Sequence, residues 1–184
     1  MLVLASNSER RRKLLQDIGL NFEVMNNDVS EEVQGDLNPE DLVMVLSKRK
    51  AEAALLKRPN DTIIAADTIV CFDGAKLGKP KTDEEAFEML KKIAGTVHNV
   101  YTGVTIINKE KEKTFYEMAS VYMKNYNDIQ IYEYIKTGEP IGKAGGYAIQ
   151  GKGGQLVEKH IGDFFTIVGL PLKKLQKELA EFDY

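Results

Sequence analysis

Apolar residues recur along the chain in two patterns, one typical of strands and one typical of helices. Short apolar runs mark the strands. The apolar runs Leu2–Ala5 and Thr62–Phe72 are typical of strands that are buried on both faces. Asn21–Asn26 predicts a further strand, and Val97–Asn108 with Lys113–Asn125 predicts a hairpin around a charged turn. We expect two more short strands after the glycine-rich segment that ends at residue 154.

Between these strands, apolar residues recur at helical spacing and predict helices. The first helix is predicted to follow Ser8, a favourable N-cap residue, and to end at Gly19. Thr82 and Glu85 have the spacing of a capping box. Four further helices are predicted from capping residues and prolines: Pro39–Lys57, Thr82–Ala94, Asp128–Lys136 and one that starts at Pro171. This alternation predicts an α/β or α+β fold with a mixed sheet.

Length and composition are those of an ordinary globular protein. The 184 residues suffice for one domain, or for one domain with two lobes, that buries a sizeable core. The net charge of −3 argues against a protein that binds nucleic acid mainly through its phosphates. The single cysteine, Cys71, excludes an intramolecular disulfide and any cysteine-rich metal site.

No segment predicts insertion into a membrane. The longest apolar stretch, Ile63–Phe72, contains Asp67 and is far shorter than the roughly 20 residues that span a bilayer. No charged segment precedes an apolar one at the start of the chain, so we expect no signal peptide. We therefore expect a cytoplasmic protein.

A run of four cations directly follows the first helix cap. Arg10, Arg11, Arg12 and Lys13 fall in or near the first helical turn. Because the helix dipole makes this end positive, each cation is disfavoured there by about 0.3–1 kcal/mol. A bound anion would remove the conflict, since helix N-termini bind phosphate well.

Asp67 is the second anomaly, because it interrupts an apolar strand. An isolated buried carboxylate costs several kcal/mol and therefore needs a partner, a metal or access to a cleft. A structural ion pair and a catalytic carboxylate on a rigid strand both agree with this pattern. Thr68 is expected to face the opposite side of the strand.

Three further segments carry charges that suit a phosphate site. Lys50 lies on the apolar stripe of its helix, so it either extends to solvent or faces an anion. Lys79 lies in a stiff Gly-Pro loop shortly after the Asp67 strand. The acidic segment Asn27–Glu32 either is a surface loop or supplies carboxylates to Mg²⁺, which prefers one or two of them together with substrate phosphates.

The glycine-rich segment Gly142–Gly154 is suited to cradle a phosphate or a base with its backbone amides. It is not a Walker A loop, because Gly153 stands where that motif needs Ser or Thr for Mg²⁺. Tyr147 and Gln150 are candidates for stacking on a base and for reading its edge. Core packing and a turn are the alternatives for these two residues.

Together, the cations and the buried carboxylate indicate a polyphosphate ligand. Seven sequence blocks extend over nearly the whole chain, in the order LASNSERR, LSKRKAEA, AADTIV, LGKP, HNVYTGV, EPIGKAGGYAIQG and IVGLPL. In these blocks the chain resembles the Maf proteins, which are nucleoside triphosphate pyrophosphatases also called septum-formation-inhibitor proteins. Because several blocks occur in the same order, the resemblance is specific.

The resemblance implies a fold and an activity. It implies a single Maf-like domain over residues 1–184, with an α/β fold in which a two-lobed mixed β-sheet and flanking helices surround a central cleft, similar to the inosine-triphosphate pyrophosphatases. It implies hydrolysis of nucleoside triphosphates to the monophosphate and pyrophosphate with a divalent metal cation, Mg²⁺ or Mn²⁺, which keeps unwanted nucleotides out of nucleic acids. It also suggests a homodimer.

The resemblance further implies roles for individual residues. Asp67 would be the proton acceptor and would share the metal with Glu31. The triphosphate would be held by hydroxyl and cationic side chains: Ser6, Ser8, Arg11, Lys50 and Lys79. Substrate choice would depend on Arg10, Thr68 and Gln150, a combination that matches the branch acting on dTTP and UTP. A sister branch that acts on methylated GTP has Trp at the first of these positions.

Glu9 departs from the family pattern, which usually has Pro after the second Ser. We expect the change to be tolerated, because an acidic side chain suits a helix N-terminus. The family's older name leaves an alternative open: a regulator of cell division that binds nucleotide or nucleic acid without chemistry. The acidic net charge and Asp67 favour the enzyme.

Overall fold

Seven β-strands and six α-helices make up the computed structural model, which describes residues 1–184. The strands are Leu2–Ala5 (β1), Glu23–Met25 (β2), Thr62–Phe72 (β3), Ala75–Leu77 (β4), Val97–Ile107 (β5), Glu112–Met123 (β6) and Val157–Ile161 (β7). The helices are Glu9–Asp17 (α1), Pro39–Lys57 (α2), Asp83–Ile93 (α3), Asp128–Ile135 (α4), Phe164–Val168 (α5) and Leu172–Leu179 (α6). None of the helices has the length and apolar character needed to cross a membrane.

The strands form one mixed sheet in the order β2-β1-β3-β5-β6-β7, with β4 paired to β3. β1 is parallel to both of its neighbours, with Leu4 opposite Val24 of β2 and Ile64 of β3. β4 is antiparallel to β3, and β7 is antiparallel to β6. The predicted α/β class, with a mixed sheet and flanking helices, is confirmed.

Two details of the expected elements are wrong. After the glycine-rich segment only β7 is a strand, and helix α5 replaces the second expected strand. Asp163 favours the helix, because its carboxylate accepts hydrogen bonds from the backbone N–H (2.8 Å) and the hydroxyl (3.0 Å) of Thr166. Glu85 does not close a capping box with Thr82, because its carboxylate accepts the N–H of Lys81 instead (2.6 Å).

The chain divides into two compact units, which share the long strands β3, β5 and β6. Unit 1 comprises residues 1–68, 102–117 and 169–184, and unit 2 comprises residues 69–101 and 118–168. Each unit has an apolar cluster of its own, formed in unit 1 around β1, β3 and α2 and in unit 2 around α3, α4 and β6. The single domain with a central cleft stays a prediction.

In unit 1, helix α2 lies directly against strand β5 because a glycine faces it. A Cβ atom at Gly103 would lie 2.3 Å from the carbonyl oxygen of Val43. One turn further along α2, the hydroxyl of Ser47 is 3.0 Å from that of Thr105, and both residues are buried. This contact fixes the side of α2 on which Lys50 follows three residues later.

In unit 2, a buried histidine anchors the glycine-rich segment. His98 Nε2 lies 2.6 Å from the hydroxyl of Tyr147, and both side chains are buried. His98 Nδ1 is buried without a hydrogen-bond partner. Burial lowers the pKa of His98 from 6.5 to about 4, so the folded protein keeps the imidazole neutral at physiological pH.

We predict that His98 makes the protein less stable in mild acid. The unfolded chain takes up a proton at His98 below about pH 6.5, whereas the folded chain does so only near pH 4, so stability falls as the pH decreases through this window. Between pH 7 and pH 5 this loss amounts to about 2 kcal/mol. Urea unfolding of His98→Gln at both pH values should show a loss smaller by that amount. The exposed His160→Gln is the control, and an unchanged loss in His98→Gln would contradict the assignment.

Candidate active site

Two carboxylates of unit 1 converge on one ammonium group. Asp67, in the middle of β3, is 5% exposed. The Nζ atom of Lys50 lies 2.6 Å from Oδ1 of Asp67 and 2.9 Å from Oε1 of Glu31. Helix α2 supplies this cation, and the lysine side chain is only 13% exposed. The expected partner of the buried carboxylate is therefore Lys50, and Glu31 shares it.

Glu31 lies in the segment between β2 and α2, and helix α2 holds this segment at two points. One guanidinium nitrogen of Arg49 donates hydrogen bonds to the carbonyl oxygens of Ser30 and Glu32, both at 2.7 Å. The buried amide of Asn27 donates to the carbonyl oxygen of Lys50. The backbone on both sides of Glu31 is thus fixed by Arg49, a residue that the sequence analysis did not identify. Its acceptors are backbone atoms, which leave no pattern in the sequence.

Helix α1 begins as predicted, and its first turn is organised by two serines. The hydroxyl of Ser8 caps the helix by accepting a hydrogen bond from the backbone N–H of Arg11 (3.4 Å). The hydroxyl of Ser6 accepts the N–H of Ser8 (3.2 Å). Glu9 forms an ion pair with Arg12 and places one acidic group in the first turn.

The four cations of this helix differ strongly in their surroundings. Arg12 and Lys13 are exposed, whereas Arg10 and Arg11 are half-buried, and the guanidinium of Arg11 is largely removed from water. Burial lowers the pKa of Arg11 from 12.5 to about 10, although the nearby Asp67 and Glu31 oppose this shift. Arg11 therefore remains charged at neutral pH.

Arg11 connects three parts of unit 1. Its Nε donates to the carbonyl oxygen of Gly169 (2.8 Å), its Nη2 to the hydroxyl of Thr68 (2.9 Å) and its Nη1 to that of Ser6 (3.4 Å). A guanidinium has five N–H groups, so two remain for a ligand. Gly169 has a φ of +123°, a backbone conformation that favours glycine, and a Cβ atom there would also lie 3.3 Å from the Thr68 hydroxyl.

Asp67 and Thr68 contact two different helices, as expected for consecutive residues of a strand. Asp67 contacts Lys50 of α2, and Thr68 contacts Arg11 of α1. The Thr68 hydroxyl also lies 2.9 Å from that of Thr102, a fully buried residue of β5. Thr102 was missed by the sequence analysis, because its partner comes from a distant part of the chain.

Lys79 and Gln150 belong to unit 2, where both are exposed. The loop that carries Lys79 is joined to the glycine-rich segment by two backbone hydrogen bonds. The N–H of Gly145 donates to the carbonyl of Gly78 (3.1 Å), and that of Gly142 donates to the carbonyl of Pro80 (2.9 Å). Lys79 is thus flanked on both sides by fixed backbone.

Tyr147 packs in the core of unit 2, where it is 4% exposed and bonded to His98. Of the two interpretations left open for it, core packing is the one that this geometry supports. Burial raises the pKa of its hydroxyl well above the usual value. Tyr147 therefore anchors the glycine-rich segment.

The donor set at Lys50 fits a hard divalent cation that is completed by a substrate. No group of three or more His, Cys, Asp or Glu side chains is gathered at one point. Asp67 and Glu31 nevertheless already point oxygens at a single cation, the ammonium of Lys50. Mg²⁺ needs only one or two protein carboxylates when water and substrate phosphates supply the remaining oxygens.

We predict that Lys50→Met lowers the free energy of unfolding by about 3 kcal/mol, because it leaves the Asp67 carboxylate buried without its cation. Lys48→Met on the same helix is the control. It removes an exposed ion pair with Glu112 (2.7 Å) and should have a much smaller effect. Urea unfolding measures both changes, and the added substitution Asp67→Asn should restore most of the loss. Equal losses in the two lysine variants would contradict the buried pair.

Comparison with known proteins places the chain in a family. Relatives named dTTP/UTP pyrophosphatase include one from Clostridium tetani, 50% identical over 97% of this chain and 96% of its own. A second relative, from Carboxydothermus hydrogenoformans, is 45% identical over 100% of this chain and 99% of its own. A third, from Bacillus mycoides, is 43% identical over 99% of this chain and 95% of its own. The solved structure of the Staphylococcus aureus Ham1 protein aligns with a TM-score of 0.49 at 20% identity, over 67% of this chain and 72% of its own, which is too distant to carry an argument. Residues 1–182 match the family model described as Maf-like protein, and the chain therefore belongs to the Maf family.

Proposed function

We propose that this protein is a nucleoside triphosphate pyrophosphatase that hydrolyses dTTP and UTP to the monophosphate and pyrophosphate. The observation that carries the proposal is the buried Asp67 carboxylate, bonded to a lysine that it shares with Glu31. The names of the three relatives, each a dTTP/UTP pyrophosphatase, support the same reaction. The activity would remove excess or unwanted nucleotides from the cytoplasmic pool.

A triphosphate would resolve the electrostatic conflict at the start of α1. Its negative charges would offset both the helix dipole and the repulsion between neighbouring arginines. We assign the phosphates to the cationic and hydroxyl groups that the sequence predicts for them: Ser6, Ser8, Arg11, Lys50 and Lys79. Arg11 retains two N–H groups for this purpose beside its internal bonds.

We further propose that Asp67 and Glu31 hold a divalent cation, Mg²⁺ or Mn²⁺, together with the substrate phosphates. Such an ion would neutralise phosphate charge and make the phosphorus more electrophilic. In this state Lys50 would exchange its contacts with the two carboxylates for contacts with phosphate oxygens. Arg49 would keep the backbone around Glu31 in place throughout.

The proposed chemistry is an in-line attack of water on the α-phosphorus. Asp67 orients the water and accepts its proton, a new bond forms between the water oxygen and the α-phosphorus, and the bond to the oxygen bridging to the β-phosphorus breaks. Pyrophosphate leaves with the bridging oxygen. Arg11, Lys50 and Lys79 stabilise the charge that develops on this leaving group.

We assign the choice of base to Arg10, Thr68 and Gln150. The hydroxyl of Thr68 is held from two sides by Arg11 and Thr102, so its orientation is fixed before substrate binds. Gln150 is exposed in unit 2 and presents an amide that can donate to or accept from a base edge.

We predict that Asp67→Asn slows pyrophosphate release by about 10²–10⁴-fold, the usual contribution of a general base. The assay is pyrophosphate release from dTTP, UTP, CTP, dATP, GTP and methylated GTP with Mg²⁺ or Mn²⁺. Wild type should prefer dTTP and UTP. Asp73→Asn, the same change at the exposed turn that follows β3, should retain full activity.

This assay also separates the enzyme from the alternative of a regulator that binds without chemistry. A folded wild-type protein that releases no pyrophosphate from any nucleotide, with metal present, would contradict the enzyme. Full activity in Asp67→Asn would retain the enzyme but remove Asp67 from its proposed role.

We predict that Glu31→Gln weakens binding of Mn²⁺ in the presence of a nonhydrolysable dUTP analogue, because one anionic oxygen ligand is lost. Electron paramagnetic resonance of free Mn²⁺ measures this binding without turnover. Glu32→Gln is the matched control, since its side chain is the exposed neighbour of Glu31. Equal Mn²⁺ binding in the two variants would exclude Glu31 as a ligand.

A further inference from the structure

The carboxylate of Glu139 accepts three hydrogen bonds, two from the glycine-rich segment and one from Tyr134. Oε1 accepts the backbone N–H of Lys152 (3.0 Å), and Oε2 accepts the backbone N–H of Gly153 (2.8 Å). Oε2 also accepts the hydroxyl of Tyr134 (2.5 Å). Glu139 therefore caps the start of the 3₁₀ helix Lys152–Leu156, which begins two residues after Gln150.

The hydroxyl of Tyr134 extends this contact to the other side of Gln150. It donates to Glu139 and accepts the backbone N–H of Ala148 (3.1 Å). Tyr134 is fully buried in helix α4, whose start is fixed by a capping box of Asn127 and Gln130. The residues before and after Gln150 are therefore attached to the same pair of side chains.

The glycines of this turn leave room for the two side chains. A Cβ atom at Gly151 would lie 2.1 Å from Oε1 of Glu139, and one at Gly153 would lie 2.6 Å from the Tyr134 hydroxyl. The backbone closes the turn itself, because the N–H of Gly151 donates to the carbonyl of Ala148 (3.1 Å). Contact with Glu139 and Tyr134 thus accounts for the glycines at positions 151 and 153, and the second of these also lies close to the backbone of Ala148.

The charge of Glu139 is matched to this role. Burial alone would raise the pKa of Glu139, but the hydrogen bonds from Tyr134, Lys152 and Gly153, with the charge of Lys143, lower it below its usual value. Glu139 is therefore ionised at neutral pH and accepts all three bonds. A glutamine at this position would offer an N–H₂ group to at least one donor.

We infer that Glu139 and Tyr134 are positioning residues that hold the turn 148–153 in the shape that presents Gln150 to the nucleotide base. The inference rests on the proposed function, because it takes Gln150 as a residue that reads the base. Neither residue was singled out by the sequence, and neither is assigned to phosphate, metal or water. Their effect on the reaction passes through Gln150.

The first test measures the shape of the turn without any nucleotide. Glu139→Gln should accelerate hydrogen exchange of the Lys152 and Gly153 amides about tenfold, because a charged acceptor is lost. Tyr134→Phe should accelerate hydrogen exchange of the Ala148 amide. This second variant tests the inference even if Glu139→Gln does not fold. The controls are the exposed neighbours Glu133→Gln and Tyr132→Phe. Unchanged exchange in both variants of the pair would overturn the inference.

The second test asks whether the effect on turnover passes through Gln150. Glu139→Gln should reduce kcat/KM for dTTP about tenfold or more, mainly through KM, and lower the preference for dTTP and UTP over GTP. In a Gln150→Ala background the same change should cost less than about twofold, since two residues that act through one contact do not have additive effects. Additive losses, or an equal fall in kcat for every nucleotide, would indicate general destabilisation and overturn the inference.

The wild-type assay separates failure of this inference from failure of the proposed function. A wild type that releases no pyrophosphate removes the proposed function, and with it the reading of a base by Gln150. An active wild type whose nucleotide preference is unchanged in Glu139→Gln and Tyr134→Phe leaves the proposed function in place and overturns the inference alone.

Discussion

Asp67 carries a negative charge into a strand whose other residues are almost all apolar, and unit 1 is arranged to supply the matching positive charge. Left alone, this carboxylate would cost several kcal/mol. Lys50 meets it from helix α2, and the same ammonium holds Glu31. The position of α2 follows from its close contact with β5 at Gly103. A charge balance of this kind suits a polyphosphate site, because an incoming metal and phosphates can replace the internal pair without leaving either carboxylate or the lysine uncompensated.

Helix α1 faces the reverse problem, an excess of positive charge at an end that is already positive. The structure separates its cations: Arg12 pairs with Glu9, while Arg11 turns inward to Gly169 and Thr68. Arg11 is consequently both a candidate phosphate ligand and a hydrogen-bond donor that orients Thr68, the residue next to Asp67. If Arg11 binds phosphate as proposed, this double role would link substrate binding to the orientation of Thr68.

The periodicity of the sequence predicted most of the fold, including both ends of β3 and of α2, because local caps and apolar runs determine them. It failed at α5, where the carboxylate of Asp163 outweighs the strand preference of the residues that follow.

For the site, buried or misplaced charge pointed to Asp67, Lys50 and Arg11. Arg49, Thr102 and Glu139 could not be found this way, because they act on backbone atoms or on residues far away in the chain. Their types and positions are ordinary until the tertiary contacts are known.

If Asp67 directs a water molecule to the α-phosphorus, the oxygen of that water must end in the monophosphate. Turnover of dTTP in H₂¹⁸O, followed by mass spectrometry of both products, identifies the phosphorus that is attacked. We expect one ¹⁸O atom in the monophosphate and none in pyrophosphate. Label in pyrophosphate, or release of orthophosphate in its place, would rule out attack of water at the α-phosphorus.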